Sequence, residues 1–196
     1  MPPKTLLLTK TQNHMDGLNY YRIKTGWLGE ANENGQLQKM KTEELVLATS
    51  YTEAEKVAYE LIESQNRRQF SDDVTIEILK TKIEDIIFND NLHKDDNLIC
   101  GLVSCYFEEG DETGVGLYGV KVMFITIDEK TAKEKRSHKT LYIPATSNAE
   151  ASKLVAEYLN NSVAMGDFVV REAKFDPTAA IMWPVEVYQN KVKETA

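Results

Sequence analysis

Displaced by 97 residues, the chain matches itself, and this repeat limits the folds open to it more than any other feature. Ala48–Leu61 lies over Ala145–Tyr158, with identity at Ala48, Thr49, Ser50, Glu53, Ala54, Lys56 and Glu60, seven of 14 positions. The same offset runs back to Tyr21–Lys24 over Tyr118–Lys121. Forward, with three residues dropped, Val74–Lys80 falls on Phe168–Lys174. The matched pieces keep one order, as expected of an internal duplication.

Each copy reads as strand, strand, helix, strand. Tyr21, Ile23, Thr25 and Trp27 alternate with Tyr20, Arg22, Lys24 and Gly26, the period-two pattern of a half-buried strand. Asn34-Gly35 predicts a type I′ turn into a return strand over 37–49. Ser50 with Glu53, and Ser147 with Glu150, are capping boxes that satisfy backbone donors at two helix starts. The first helix is expected to bury Ala54, Val57, Ala58, Leu61 and Ile62; the second, Ala151, Leu154, Val155, Tyr158 and Leu159. Closing strands follow over 74–82 and 167–174.

The expected fold is therefore α+β: a duplicated β-β-α-β unit in pseudo-twofold arrangement, with antiparallel sheets and one helix per repeat. Its parts are an N-terminal tail (1–19), repeat 1 (20–88), an acidic linker with an extra strand over Leu98–Phe107 (89–116), repeat 2 (117–183) and a C-terminal tail (184–196). Within the linker, Glu108–Gly116 reads as a loop. One unit alone buries little surface, so the two repeats are expected to form one domain, and an isolated half to fold poorly.

With 196 residues, 42% of them hydrophobic and 28% charged, wholesale disorder is excluded. The longest apolar runs, such as Val122–Ile125, fall far short of the ~20 residues that span a bilayer. Met1–Thr9 lacks the apolar core of a secretory signal, which points to the cytoplasm. The formal net charge of −8 is concentrated: residues 83–112 hold nine acids and one base, Lys94, and the remainder is balanced. An anionic partner is thus compatible with the low pI.

Catalytic chemistry is not visible. The three histidines are scattered, and Cys100 and Cys105 lack co-ligands, so they read as reduced cysteines in a strand with no metal or cofactor. No phosphate-binding glycine loop, zinc-protease motif or nucleophile elbow occurs. The chain reads as non-enzymatic. The strand faces opposite the helices say more. Tyr20, Arg22, Lys24, Lys39 and Lys41 share one face in repeat 1; Lys121, Arg136, His138 and Tyr142 share one in repeat 2, with Lys139 nearby. Bases interleaved with tyrosines can neutralise phosphates and stack nucleobases, although an ordinary solvated sheet face has the same composition.

The run Lys121–Lys130, the strand end Glu43–Ala48 and the helix start Thr52–Glu55 are similar to a family of unknown function from gut Bacteroidetes and their crAss-like tailed phages. The resemblance covers roughly residues 20–183, with an acidic insert and a Cys100–Gly116 segment longer than the family pattern. It implies a single-stranded DNA-binding role in phage or mobile-element replication or recombination, and no catalytic residues. The expected partner is single-stranded DNA, alongside replication or virion proteins, and self-association is compatible with it. The alternative is a protein-interaction or virion-assembly protein using the extra strand and acidic linker. A small-ligand binder with a cleft between the repeats is a third class.

Overall fold

In the computed structural model, which describes residues 17–107, 114–162 and 166–195, two units share one connectivity and one register. The first consists of β1 (Asn19–Ala31), β2 (Leu37–Ala48), α1 (Tyr51–Ser64) and β3 (Thr75–Lys80), with β1 central. A hairpin of β4 (His93–Ile99) and β5 (Leu102–Tyr106) follows. The second unit consists of β6 (Gly116–Ile127), β7 (Glu134–Ala145), α2 (Asn148–Asn161) and β8 (Asp167–Asp176), with β6 central. Asn19 stands opposite Ala48, and Gly116 opposite Ala145, which is the same pair 97 residues on. A bulge at Arg171 absorbs the one-residue difference along β8. The chain ends in β9 (Thr178–Pro184) and α3 (Val185–Glu194).

Both helices begin as the capping boxes require. Ser50 Oγ accepts from Glu53 N at 3.2 Å, and Glu53 Oε2 accepts from Thr49 N at 2.9 Å. Ser147 Oγ accepts from Glu150 N at 3.1 Å, and Glu150 Oε2 from Thr146 N at 2.5 Å. α1 buries all five expected residues. α2 buries Ala151, Val155 and Leu159, whereas Leu154 is half-buried and Tyr158 is 45% exposed. The ion pair of Arg67 with Glu44, both buried, lies past the end of α1, with the Arg67 guanidinium 4.8 Å above the Trp27 ring. Burial raises the Glu44 carboxyl above its ordinary range, and Arg67 only partly offsets this.

Four local expectations are corrected. The β1–β2 turn is not type I′: Gly35 has φ 77°, but Asn34 is not left-handed. Asn32 organises it instead, its Oδ1 accepting from the N–H groups of Asn34 and Gln36 at 3.0 Å each. The single strand expected over Leu98–Phe107 is broken at Cys100-Gly101, where φ values of 48° and 75° turn the chain into the β4–β5 hairpin. Cys100 is therefore an exposed turn residue and only Cys105 lies in a strand; both thiols are free. Residues 184–196 are not a tail, because α3 docks on the core through Val187 and Lys191. The expected N-terminal tail up to residue 16, and residues 108–113 of the acidic loop, lie outside the described residues.

Strand β9 determines the architecture. It leaves the second unit and enters the first sheet, parallel to β2 and antiparallel to β5, giving the order β3-β1-β2-β9-β5-β4. The second sheet has the order β7-β6-β8. Three apolar clusters result. One lies under α1 and one under α2. The third fills the face of the large sheet turned away from α1, where Tyr20, Leu45, Ile181 and Trp183 meet Leu117 of β6 and Val187 of α3. Among the described residues, no helix is long and apolar enough to cross a membrane.

This third core needs the whole chain. Produced alone, the segment 17–107 lacks β9 and should show no cooperative unfolding transition by circular dichroism. The intact protein should show a single sigmoidal one.

Candidate nucleic-acid interface

The alternation in β1 sets Tyr20, Arg22 and Lys24 on the side away from α1, and register places Lys41 and Lys39 of β2 opposite Gly26 and Leu28 on that side. In the second sheet Lys121, His138, Arg136 and Tyr142 share the side away from α2. Lys139, opposite Val122, belongs to the other side. The inner halves of these faces are covered. Tyr20 is 1% exposed and its hydroxyl accepts from Trp183 Nε1 at 2.7 Å, so it is a core residue and not a stacking platform. Sequence periodicity reports which side a residue takes, not what packs on that side.

Five of the ten expected residues come together. Arg22, Lys121, His138, Lys139 and Tyr142 line two adjoining hollows where the edge of β7 approaches the chain after β3. The main-chain bond from Ile87 N to Tyr142 O, 2.8 Å, fixes that approach. The first hollow, about 430 Å³, holds Arg22, Lys80, Lys82, His138, Lys139 and Tyr142. The second, about 400 Å³, holds Lys121 and Lys174 together with Glu172 and Asp176, and Tyr142 and Phe175 beside Gly119. The remaining expected residues lie elsewhere. Lys24 reaches Glu77 at 4.0 Å, Arg136 pairs with Glu134 at 2.6 Å, and Lys39 and Lys41 occupy the outer part of the β1–β2 hairpin.

Three cleft lysines, Lys80, Lys82 and Lys174, were missed by the strand-face argument. A signal for two of them was present: Lys80 and Lys174 occupy the same place in the two aligned repeats.

Charge in the cleft is unevenly committed. Arg22 grips Asp176 with both terminal nitrogens, at 2.9 and 2.8 Å, and also donates to Glu43 at 3.1 Å and Thr178 at 3.0 Å. Burial opposes its charge, but Asp176 and Glu43 outweigh that and raise its pKa further. Lys139 pairs with Glu84 at 2.8 Å and Lys174 with Glu172 at 3.4 Å. Lys80, Lys82 and Lys121 are exposed and make no ion pair with any described residue. Tyr142 between them is half-buried. Burial and then the Asp176 charge raise its phenol, with Arg22 acting against, so it stays neutral at ordinary pH.

Among the described residues, no three His, Cys, Asp or Glu side chains are grouped to hold a metal ion. The two thiols are poor nucleophiles. Burial and Glu60, 3.0 Å away, push Cys100 up to about 11, and burial pushes Cys105 up to about 12.

Residues 19–184 match the family described as a domain of unknown function, DUF4494, and the chain belongs to that family. No curated protein and no solved structure matches it. The family match ends where α3 begins.

Arg22 is the clasp of this region, joining β1 to the β8–β9 connection. Arg22→Met should cost about 3 kcal/mol in urea unfolding, because it strands Asp176 with little solvent. Asp176→Asn should cost less when Arg22 is already changed than when made alone; additive costs would count against a shared clasp.

Proposed function

We propose that this protein binds single-stranded DNA without catalysing a reaction, in the phage or mobile-element replication or recombination setting that the sequence resemblance implies. The observation that carries this reading is the cleft itself: Lys80, Lys82 and Lys121, unpaired among the described residues, converge around half-buried Tyr142 in a chain of net charge −8. Lysines aimed at one groove attract phosphates, and an aromatic wall between them offers any base a stacking surface. A hollow of this size suits separated nucleotides better than a duplex, whose bases are reached by an element entering a groove. The shared connectivity, register and capping of the two units support their descent from one duplicated unit. A cytoplasmic setting in a bacterial host, and self-association, belong to the same proposal.

A second reading has one observation in its favour. Of the hairpin, β4 and not β5 is an edge strand of the six-stranded sheet, as β3 is at the other side, and Leu98 on β4 is 50% exposed, which suits strand addition by a partner protein in an assembly role. Asp95 and Asp96 on the same strand oppose it, since edge charges discourage pairing.

Fluorescence anisotropy with labelled oligo-dT and an equal-length duplex separates the two. Oligo-dT alone should bind, with affinity falling steeply between low and near-physiological salt. Lys80→Glu combined with Lys82→Glu should weaken binding tenfold or more at an unchanged melting temperature. Wild-type affinity in that variant would remove the cleft as the site. No binding at low salt would retire the reading and leave the β4 edge as the leading surface.

A further inference from the structure

Gly119 on β6 stands directly opposite Tyr142 on β7. Their counterparts 97 residues earlier, Arg22 and Leu45, form the same cross-strand pair. At one equivalent place, then, a long cation and a buried leucine in one unit correspond to no side chain and a tyrosine in the other. The missing side chain matters. A Cβ at residue 119 would stand 3.1 Å from Cε1 and 3.3 Å from Cζ of Tyr142, and 3.3 Å from Cγ2 of Thr140. The outer end of the tyrosine ring thus lies over the strand in space that any other residue at 119 would claim.

Held there, Tyr142 is a wall common to both hollows. Each hollow has the volume of a small-ligand site, and each carries its own lysines: Lys80 and Lys82 in one, Lys121 and Lys174 in the other. The first hollow has a cationic excess, whereas in the second Glu172 and Asp176 balance Lys174 and Lys121. Two ligand-sized spaces, each with lysines on its wall and divided by one aromatic ring, match the repeat of a nucleic-acid strand, in which phosphate and base recur together.

We infer that the cleft takes a two-nucleotide step of single-stranded DNA, one nucleotide per hollow, with Tyr142 as the shared stacking surface and Gly119 as the residue that positions its ring. The inference rests on the single-strand reading above and deepens it to a defined unit. The lysines supply attraction that grows smoothly with strand length, whereas the tyrosine supplies a discrete gain when both hollows fill.

The test is displacement of labelled oligo-dT at low salt by 5′-phosphorylated dT strands of one to four nucleotides. Affinity should rise about tenfold from one nucleotide to two, in the range of a single base–aromatic stack, and by less with each further addition. Tyr142→Leu installs the residue type found at the equivalent place in the other unit; it should remove the step while keeping the melting temperature. Tyr142→Phe should retain the step, and Gly119→Ala should diminish it several-fold. An even rise with length, or a step that survives Tyr142→Leu, overturns the inference. If the wild-type protein ignores oligo-dT altogether, the single-strand reading falls with it; if oligo-dT binds without the step, only the two-nucleotide unit falls.

Discussion

The indole N–H of Trp183 donates to the Tyr20 hydroxyl at 2.7 Å, and both rings are at most 1% exposed. Much of the structure is arranged around that contact. Two large aromatic side chains contribute apolar area to the central core, and each satisfies the polar group that burial would otherwise leave costly. Lys191 of α3 closes the assembly from above. Its ammonium sits 5.5 Å from the Trp183 ring centre and donates to Asp85 Oδ1 at 2.6 Å and to the Ile86 carbonyl at 2.7 Å. Strand β1, strand β9, the final helix and the segment after β3 are thereby tied at one place. Arg22, two residues beyond Tyr20, then secures the β8–β9 connection beside it.

The acidic stretch 83–112 takes on a different meaning in this setting. Glu84 and Asp85 are not simply solvating charge: one neutralises Lys139 at the cleft and the other neutralises buried Lys191. Acids at the start of the stretch therefore serve as internal counterions. Lys80, Lys82 and Lys121 at the cleft pair with none of the described acids, which is how a chain of net negative charge presents a cationic hollow there.

What was legible in the sequence was local. Ser50 and Glu53 lie three residues apart, so their capping bonds are written in adjacent positions, and Ala54 through Ile62 reveal a buried stripe by spacing alone. The two units of like connectivity were legible for the same reason, as each carries its own register. Pairings between distant segments were not. Nothing near Thr178–Pro184 signals that this strand will lie between β2 and β5, so the burial of Tyr20 by Trp183 could not be read from the tyrosine's neighbours. Five of ten expected interface residues meet for a related reason: alternation gives the side of a sheet, while the approach of the chain after β3 to the edge of β7 selects which part of that side becomes a cleft. The turn at Cys100-Gly101 is embedded in an apolar run whose pattern suits one long strand, so spacing alone does not reveal it.

The parallel pairing of β9 with β2 joins residues 178–182 to residues 43–46. During synthesis, the first sheet must therefore wait until residues 178–182 have emerged, about 135 residues after their partners in β2, before its middle is filled. Until then the edge of β2 and the apolar face around Leu45 and Leu47 stay open to other chains, and a long loop has to be closed. Slow completion of a sheet with a hydrophobic edge exposed is the condition under which nascent chains associate wrongly. A sealing strand so far along the sequence from its partner thus makes the order in which the chain emerges part of what the fold must survive.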